Sequence, residues 1–260
     1  MSRLRARCPE CRTLTAVALE AGEYECHACG RSFRAGLVRV PRAWGKEGER
    51  MAEAAFLEFP YPEAGVVDEE SLTEQTLALA AALPERPVVL GGCCCAHVGG
   101  VEGLATRYDR LGIVWLDAHG DLNTPETSPS GNAWGMPLRM LLDSGTVHPD
   151  DVVLVGARSL DPPEKEFIAA SGLRTGEEEL ARALEDTDAV YVAFDADVLD
   201  PAGEIVSFMP EPEGLTLPQA GSILSRVAAA KPVAGVGLTG LAPAPANAEP
   251  LARLVSTLGF

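Results

Sequence analysis

Short apolar runs alternate with longer amphipathic stretches along most of the chain. Five such runs lie at 88–90, 113–116, 152–156, 189–194 and 233–238. Each is short enough for a buried strand, and most are bounded by glycine, proline or aspartate. Continuous apolar runs separated by helical stretches are typical of a parallel sheet that is covered on both faces. The pattern therefore predicts a three-layer α/β/α fold with a mainly parallel sheet.

The stretches between these runs predict helices and loops. Ser71-Leu-Thr-Glu74 is typical of a capping box and begins a predicted helix that ends at Leu83. The pair Gly91-Gly92 lets the backbone turn into a second helix, which ends near Tyr108. Further helices are predicted at 164–170, 177–184, 216–231 and 250–258. Residues 41–48 are predicted to be a linker, residues 49–70 give little regular signal, and residues 122–137 predict a long polar loop.

Two of the apolar runs end in clusters of potential metal ligands. One leads into Asp117, His119 and Asp121 at alternate positions, which point to the same side of an extended segment. The other leads into Asp195 and Asp197. A single aspartate at a strand end is most often a cap or turn residue. Four neighbouring carboxylates, however, need compensating positive charge, and mixed aspartate and histidine ligands suit manganese, iron or zinc.

Four motifs resemble those of the arginase and agmatinase (ureohydrolase) family. They are Leu90-Gly-Gly-Cys-Cys-Cys95, Asp117-Ala-His-Gly-Asp-Leu-Asn123, Ser130-Gly-Asn-Ala-Trp-Gly-Met-Pro137 and Asp195-Ala-Asp-Val-Leu-Asp-Pro201. They follow the family's order, and the resemblance covers residues 45–260. It implies an arginase-like metallohydrolase domain that cleaves a non-peptide C–N bond in a linear guanidino or amidino compound. In that family, two manganese ions bridged by carboxylates activate a shared water that attacks the guanidinium carbon. The resemblance also implies a homo-oligomer, a trimer or a hexamer.

The resemblance implies a set of metal ligands around one or two Mn²⁺ ions. They are Cys94, Asp117, His119, Asp121, Asp195 and Asp197. Asp121 is implied to be catalytic as well, because it would orient the nucleophile. The family has a histidine where this chain has Cys94, and a softer thiolate ligand favours Zn²⁺, Fe²⁺ or Co²⁺, or leaves one position weakly filled. His97, one helical turn later, is an alternative ligand, and Cys93 and Cys95 are predicted to be buried small residues.

A second set of residues is implied to bind the substrate, which is expected to be a small cationic or zwitterionic molecule. The set comprises Asn123, Ser130, Asn132, Trp134, Asp161 and Glu164. The first three match positions that hold an amino-acid carboxylate, and the last two match positions near the amino group. Hydrogen bonding within the loop and at a helix start is the alternative role for these five residues.

Besides Cys94, two further positions depart from the family around the reaction centre. Trp134 stands where the family has a histidine that transfers protons, and its indole would either stack on a planar cation or pack in the core. The family's glutamate that clasps the guanidinium falls near Gly240, where no acid is present, and Glu249 in the following turn is left open as an alternative contributor. Two alternatives therefore stay open. One is an inactive relative that binds a metabolite and acts as a regulatory module, and the other is an amidohydrolase with a single metal, like the related deacetylases.

The N-terminal cysteines predict a separate metal site. Cys8, Cys11, Cys26 and Cys29 form two C-x2-C pairs separated by 14 residues, the spacing of a tetrathiolate zinc site. The sequence therefore predicts a zinc ribbon over residues 1–40 with a structural Zn²⁺. Two disulfides are the alternative. A segment this short cannot bury a core of its own. Metal binding would therefore supply most of its folding free energy.

Composition adds limits on partners. The 260 residues are 47% hydrophobic and carry a net charge of −17, which divides into +4 for residues 1–50 and −21 for the remainder. An acidic main domain repels nucleic acid, so no nucleic-acid partner is expected. The sequence has no apolar stretch long enough to span a membrane, and no signal-peptide pattern follows its basic start. A cytoplasmic protein without a membrane partner is therefore expected.

Overall fold

Eleven strands join into one sheet in the computed structural model, which describes residues 5–6, 8, 10–11, 13, 15–19 and 23–260. The strands are β1 (Arg5–Ala6), β2 (Ala16–Ala18), β3 (Glu23–Cys26), β4 (Ser32–Val40), β5 (Glu63–Val66), β6 (Arg86–Gly91), β7 (Leu111–Leu116), β8 (Val152–Val155), β9 (Arg174–Thr175), β10 (Ala189–Asp195) and β11 (Val233–Thr239). Their order in the sheet is β1-β2-β3-β4-β6-β11-β10-β7-β8-β9, and β5 pairs with β4. From β4 to β9 every pairing is parallel, whereas β1 to β4 pair antiparallel.

Helices cover both faces of the parallel part of this sheet. They are α1 (Glu49–Ala52), α2 (Leu72–Ala82), α3 (Ala96–Ala105), α4 (Pro137–Asp143), α5 (Pro162–Ser171), α6 (Leu180–Ala183), α7 (Leu217–Ala230) and α8 (Ala248–Thr257). In β7, Val114 and Leu116 pack on one face with α6, α7 and α8, while Ile113 and Trp115 pack on the other with α2, α3, α4 and α5. Alternate residues of a strand thus bury their side chains in two separate cores. Because both faces are buried, successive positions of the central strands are apolar, and each of these strands contains a continuous apolar run in the sequence. The predicted three-layer α/β/α fold is confirmed.

Local signals in the sequence fix several helix starts. The Ser71 hydroxyl oxygen accepts a hydrogen bond from Glu74 N at 3.2 Å, as the capping motif predicted. At the start of α7, Thr216 and Gln219 form a reciprocal capping box. Proline at the first helical position begins α4 and α5, where its missing N–H costs nothing.

Five of the described helices and strands were not predicted: α1, α4, β1, β5 and β9. They are short, from two to seven residues, so none repeats a hydrophobic period often enough to be recognised in the sequence. The structure also shows that β4 ends at Val40, the end of the predicted ribbon, while most of that strand pairs with β5 and β6 in the main sheet. The division into residues 1–40 and 45–260 stays a prediction. Within the described residues, no helix is long and apolar enough to cross a membrane.

Candidate metal centre

The carboxyl ends of four adjacent parallel strands meet at one edge of the sheet. Cys94 follows β6, Asp117 follows β7, Asp195 ends β10 and Thr239 ends β11. Ligand sites of open parallel sheets lie at this edge because the loops that leave neighbouring strands converge there. One cavity of about 430 Å³ occupies the position. The twelve residues that the family resemblance implied for metal or substrate binding all line it: Cys94, Asp117, His119, Asp121, Asn123, Ser130, Asn132, Trp134, Asp161, Glu164, Asp195 and Asp197.

The potential metal ligands form two groups that share Asp117. In one group, single ligand atoms of Cys94, Asp117 and Asp121 all lie within 4.8 Å of one another. In the other, atoms of Asp117, His119 and Asp197 satisfy the same limit. Two such groups joined by one carboxylate are compatible with two neighbouring cations bridged by that carboxylate, or with one cation in either group.

His119 directs one ring nitrogen at the carboxylates and the other away from them. Its Nδ1 lies 2.9 Å from Asp197 Oδ2 and 3.5 Å from Asp117 Oδ1. Its Nε2 lies 3.5 Å from Glu211 Oε1. Burial lowers the pKa of His119, but hydrogen bonds and the charges of Asp117 and Asp197 outweigh burial and raise the pKa to about 12. In the metal-free protein the ring of His119 is therefore protonated. Its positive charge compensates the same carboxylates that a bound cation would compensate.

Asp121 provides the test of whether the residues fit a metal. The residue is only 2% exposed, and its Oδ2 atom has no hydrogen-bond partner among the described residues. Its backbone has a φ of 52°, a left-handed conformation that is unusual for a residue other than glycine and that turns the chain at the cavity wall. A buried carboxylate oxygen without a donor is costly, and a bound cation would remove that cost. The centre therefore fits a divalent metal.

Burial and mutual repulsion raise the pKa values of the carboxyl groups. Burial, followed by the charge of Asp197, raises the pKa of Asp195 to about 7. Burial, followed by the charge of Asp117, raises the pKa of Asp197 to about 6 and that of Asp121 well above its usual value. Without metal, the site consequently retains protons that a divalent cation would displace.

These shifts predict how metal binding depends on pH. The folded-state pKa values of Asp195 and Asp197 exceed the unfolded value of about 3.9, so the folded state binds more protons between about pH 4 and pH 7. These two groups therefore make the free energy of unfolding of the metal-free protein fall as the pH rises through that window. Because metal competes with the same protons, the rise in Tm caused by added Mn²⁺ or Zn²⁺ should be larger at about pH 7.5 than at about pH 5.5.

Differential scanning fluorimetry of chelator-treated and metal-loaded protein at both pH values measures this rise. A rise in Tm that is equal or smaller at the higher pH would contradict the prediction.

Cys94 occupies the position at which the family has a histidine. Its Sγ lies 3.0 Å from Asp195 Oδ2, to which it donates, and 4.0 Å from Asp117 Oδ2. Burial, followed by the charges of Asp121 and Asp195, raises the pKa of this thiol well above its usual value. The thiol thus keeps its proton in the metal-free site, and a metal would have to displace it. Cys93 and Cys95 are each 1% exposed, which confirms that they are buried small residues.

His97 is not placed as a replacement ligand, because both of its ring nitrogens have partners in the protein. Its Nε2 lies 3.1 Å from Thr239 Oγ1, and its Nδ1 lies 3.1 Å from the Tyr191 hydroxyl oxygen. The Thr239 hydroxyl donates to Asp195 Oδ2 at 3.0 Å, so Thr239 must accept from His97 Nε2–H and Tyr191 must donate to Nδ1. Burial lowers the pKa of His97 to about 3, in agreement with a neutral ring. The buried chain Tyr191–His97–Thr239 holds the carboxylate of Asp195 in place.

Replacing Thr239 with valine should be costly because it interrupts this chain. The change keeps the shape of the side chain but leaves the His97 Nε2–H and Asp195 Oδ2 each without one partner, so we expect a loss of about 1–3 kcal/mol in the free energy of unfolding. Urea denaturation of the metal-free protein measures it. Thr239→Ser, which keeps the hydroxyl, should restore most of the loss.

Thr187→Val is the matched control for that experiment. Thr187 is also buried, at 3% exposure, but its hydroxyl donates to the Leu184 carbonyl before β10 begins, away from the cavity. Thr187→Val should leave metal affinity unchanged, whereas Thr239→Val should weaken it. Equal metal affinities for the two valine variants would rule out a positioning role for Thr239.

The predicted substrate-binding residues also hold one another. Asn123 Nδ2 donates to Asp161 Oδ2 at 2.9 Å, and Ser130 Oγ accepts from Asn132 N at 3.2 Å. Both carboxylate oxygens of Glu164 accept backbone hydrogen bonds, from Leu122 N at 3.0 Å and from Asp161 N at 2.9 Å. The alternative role in loop and helix-start bonding is therefore present for these residues, and they line the cavity at the same time. Their binding role stays a prediction.

Trp134 lines the cavity and packs against the segment that the sequence predicted as a linker. Gly45 lies directly against the indole, since a Cβ atom there would come within 2.3 Å of the ring. Lys46 N donates to Asn132 Oδ1 at 2.9 Å, and Ala133 N donates to the Trp44 carbonyl at 2.8 Å. Residues 44–46 thus support the loop that carries Trp134, a role that the sequence alone did not indicate.

The two positions considered for a guanidinium-clasping acid are both unsuited to it. Gly240 has a φ of 64°, and a Cβ atom there would lie 1.9 Å from Asp195 Oδ1. A side chain at this position would require the backbone or Asp195 to move. Glu249 is 84% exposed and pairs with Arg253 at 3.2 Å in the first half of α8, and it does not line the cavity. The idea that Glu249 contributes to the site is therefore wrong.

Sequence reasoning missed several residues around the cavity, of which Arg158 is the best connected. Its guanidinium donates five hydrogen bonds of 2.7–3.5 Å to backbone carbonyls. The acceptors are Gly156, Asp197, Val198, Glu211 and Pro212. Arg158 therefore ties the segment with Glu211, which faces His119, to the segment with Asp197. Its place three residues before Asp161 was the only hint in the sequence. Met51 and Met209 also line the cavity without any local signal.

Fold and site together define a three-layer α/β protein with a carboxylate-rich centre at its strand ends that fits a divalent metal. The sequence matches the family model described as the Arginase family over residues 42–259. The chain therefore belongs to the arginase family.

Individual relatives include arginases, although the sequence match covers only part of each chain. Arginase from Bacillus caldovelox is 42% identical over 142 residues, which span 45% of this chain and 48% of that protein. The sequence match thus spans about half the length of that relative. The solved structure of the same arginase superposes with a TM-score of 0.74 at 27% identity and covers 87% of this chain and 98% of that chain. Formimidoylglutamase from Bacillus subtilis, at 18% identity and a TM-score of 0.68 over 86% of each chain, shares the fold.

Proposed function

We propose that this protein is a metal-dependent hydrolase of a non-peptide C–N bond in a linear guanidino or amidino compound. The observation that supports it most is the pair of ligand groups sharing Asp117 at one end of a cavity. Asn123, Asp161 and Trp134 line the same cavity. Membership of the arginase family favours this chemistry over the others that such a centre can support.

The chain's own residues would bind the substrate, orient the attacking water and protonate the departing nitrogen. When bound, one or two divalent cations would acidify water and polarise the amidino group. Asp121 would bind metal through one carboxylate oxygen and, through the other, accept a hydrogen bond from the attacking water and orient it. As the C–O bond forms and the C–N bond breaks, the same carboxylate can hold the proton of the water and pass it to the departing nitrogen.

Glu211 would orient His119 in this proposal. The Nε2 of His119 faces the Glu211 carboxylate, so a proton on that nitrogen leaves Nδ1 free to face the ligand cluster. Trp134 cannot carry a proton, because the indole N–H is a donor only. It offers an aromatic face instead, on which a planar amidinium or guanidinium can stack for about 0.5–2 kcal/mol. These features favour a cationic or zwitterionic substrate.

The identity of the metal follows from the chemistry of the donors. Oxygen ligands and one imidazole suit Mn²⁺, whereas a thiolate at Cys94 favours Zn²⁺, Fe²⁺ or Co²⁺. We therefore expect the Cys94 side of the centre to prefer a softer ion than the His119 side. A homo-oligomer is also expected, and size-exclusion chromatography with light scattering that shows a monomer would refute it.

Turnover of defined compounds tests the function. The purified protein, loaded separately with Mn²⁺, Zn²⁺ and Co²⁺, is incubated with guanidino, formimidoyl and acylated amine compounds, and product amines, urea and ammonia are quantified. We expect hydrolysis of a guanidino or amidino compound that Asp121→Asn abolishes, with Asp143→Asn on the exposed end of α4 as the matched control.

Other outcomes of the same assay would replace the proposal. Hydrolysis of acylated amines alone would instead indicate a deacetylase-like amidohydrolase. A fully metallated protein that turns over none of the three classes would support an inactive, metabolite-binding relative.

A further inference from the structure

We infer that Cys8, Cys11, Cys26 and Cys29 bind a structural Zn²⁺ that folds the N-terminal strands onto β4, a strand shared with the main sheet. This second metal site is separate from the candidate metal centre and does not depend on the proposed hydrolysis. It lies outside the residues matched by the family model, which begin at 42. The folding of β2 and β3, which pair antiparallel, would then depend on zinc. We call these two strands the zinc-dependent unit. The rest of the fold would not depend on that ion.

The four thiols converge as a tetrathiolate site requires. One ligand atom from each cysteine lies within 4.8 Å of every other. Cys8 Sγ is 3.7 Å from Cys29 Sγ, and Cys11 Sγ is 3.5 Å from Cys26 Sγ. Each contact joins one cysteine of the first pair to one of the second, so both pairs contribute to the same centre. Sulfurs at such separations can surround one ion at the usual Zn–S length of about 2.3 Å.

The backbone around the two pairs is similar, although their sequences differ. Cys8 N donates to the Thr13 carbonyl at 2.9 Å, and Cys26 N donates to the Arg31 carbonyl at 2.8 Å. In both cases the acceptor lies five residues after the first cysteine of the pair. Gly30, with a φ of 75°, completes the second turn in a conformation that favours glycine. These two matched hydrogen bonds, beside cysteines whose sulfurs converge on one point, support a metal site.

Two threonine hydroxyls lie beside the sulfurs. Thr13 Oγ1 is 3.1 Å from Cys11 Sγ, and Thr15 Oγ1 is 3.4 Å from Cys26 Sγ. Hydroxyl donors stabilise thiolates, which are the form of cysteine that binds metal. The surroundings therefore favour the charge state that a tetrathiolate site needs.

The apolar cluster of this region is too small to fold it. Its buried members are Cys8, Ala16, Tyr24, Cys26, Phe33 and Ala35. One stacked aromatic pair, Tyr24 and Phe33 with ring centroids 5.6 Å apart, is its largest contact. Two of the six buried members are themselves ligands, so the cluster depends on the metal for its own packing. Metal binding is then the main source of folding free energy for β2 and β3.

Strand β4 connects this unit to the main sheet and limits what loss of zinc can do. Its first residues, Ser32 to Arg34, pair with β3, whereas Ala35 to Val40 pair with β6. Leu37, Val38 and Val40 are buried in the cores of the main sheet. Removal of zinc should therefore free β2 and β3 but leave the second half of β4, and the candidate metal centre, folded.

Zinc content in the full-length protein tests the site directly. Protein carrying Asp195→Ala, purified under reducing conditions and without added metal, has its main candidate centre disabled, so any remaining zinc reports on the thiols. We expect one Zn²⁺ per chain by elemental analysis in this background. Adding Cys26→Ser should remove it. Adding Cys93→Ser, which changes a cysteine buried outside the cluster, should not.

Two results, one from that experiment and one from the mass of protein purified without reductant, would overturn the inference. Zinc content that does not change on Cys26→Ser would place the ion elsewhere. A mass lower by four hydrogens for protein purified without reductant, together with no zinc, would show two disulfides instead.

Hydrogen exchange tests the connection through β4 independently. On chelation of the wild-type protein, amides of β2 and β3 should lose protection, while those of β10 and β11 keep it. Loss of protection throughout the chain, or no change in β2 and β3, would overturn the proposed zinc-dependent unit. Reloading Asp195→Ala protein with Zn²⁺ alone should restore protection in β2 and β3.

Discussion

Replacing Asp117 with asparagine should empty the candidate metal centre and abolish hydrolysis. Asp117 belongs to both ligand groups, is 1% exposed, and lies 3.5 Å from His119 Nδ1. Asparagine keeps the size of the side chain but carries no charge, so neither group keeps enough negative charge to hold a divalent ion. Mutation of outer-shell partners of metal ligands costs about 10- to 100-fold, so removal of a shared ligand should lower metal affinity and kcat/KM by more than about 100-fold.

Isothermal titration of metal into chelator-treated protein, with turnover measured in parallel, checks this expectation. Asp143→Asn is the matched control, because Asp143 is an exposed residue of α4 that pairs with Arg139. Zinc at the N-terminal cysteines should be unaffected by either change. An Asp117→Asn protein that binds metal in the main centre with wild-type affinity would show that the two groups do not act as a centre.

The second large effect is expected from Cys94, and it concerns which metal binds. Cys94→His replaces a soft thiol with the borderline imidazole nitrogen that the family carries, at a position that opens into the cavity. We expect the ratio of Mn²⁺ to Zn²⁺ affinity to rise by at least about tenfold, or about 1.4 kcal/mol. Competition binding with the two ions, at fixed pH, measures the ratio.

Cys94→Ala separates a ligand from a space-filling residue. If the thiol is a ligand, the alanine protein should lose one ion or bind it more weakly, while the group with His119 and Asp197 keeps its own. If both the alanine and histidine proteins show wild-type metal preference and stoichiometry, Cys94 is a packing residue and the centre holds its metal through the carboxylates and His119 alone.

The central strands and the position of the candidate metal ligands at the cavity were predictable from the sequence for one physical reason. A strand buried on both faces must be apolar throughout, so a sudden polar residue marks its end. The polar residue at the end of β7 or β10 is also a candidate ligand, Asp117 or Asp195, and the parallel topology then brings the two ends together. The local sequence was sufficient to predict both the strand and the candidate ligand there, because the residue that marks the end of the strand is also the candidate ligand.

The support of the cavity was not predictable, because it depends on contacts between distant segments. The loop with Trp134 is held by residues 44–46, about ninety positions earlier, through backbone atoms that carry no sequence signature. Arg158 acts in the same way, since its acceptors are carbonyls. Short elements such as α4 and β9 were missed because they are too brief to show a period. The N-terminal cysteines were recognisable by spacing, but the pairing of β4 with both the N-terminal strand β3 and the parallel strand β6 was not.

The reaction centre departs from its family at three positions that now have a structural context. Cys94 points at Asp195, Trp134 is fixed against Gly45, and Gly240 lies so close to Asp195 that a side chain would not fit. The carboxylate ligands are present, whereas the groups that would transfer protons and clasp a guanidinium are changed. This combination favours a retained metal centre with an altered substrate, which is why several substrate classes need to be tested.

Metal stoichiometry and identity per chain, by elemental analysis of wild-type and Asp195→Ala protein purified without added metal, test the central claim most directly. The claim predicts one zinc that persists in Asp195→Ala and one or two further ions that Asp195→Ala removes. Zinc at the N-terminal cysteines alone, with nothing bound in the main centre of the wild-type protein even after incubation with Mn²⁺, Zn²⁺ or Co²⁺, would contradict a metal-dependent hydrolase.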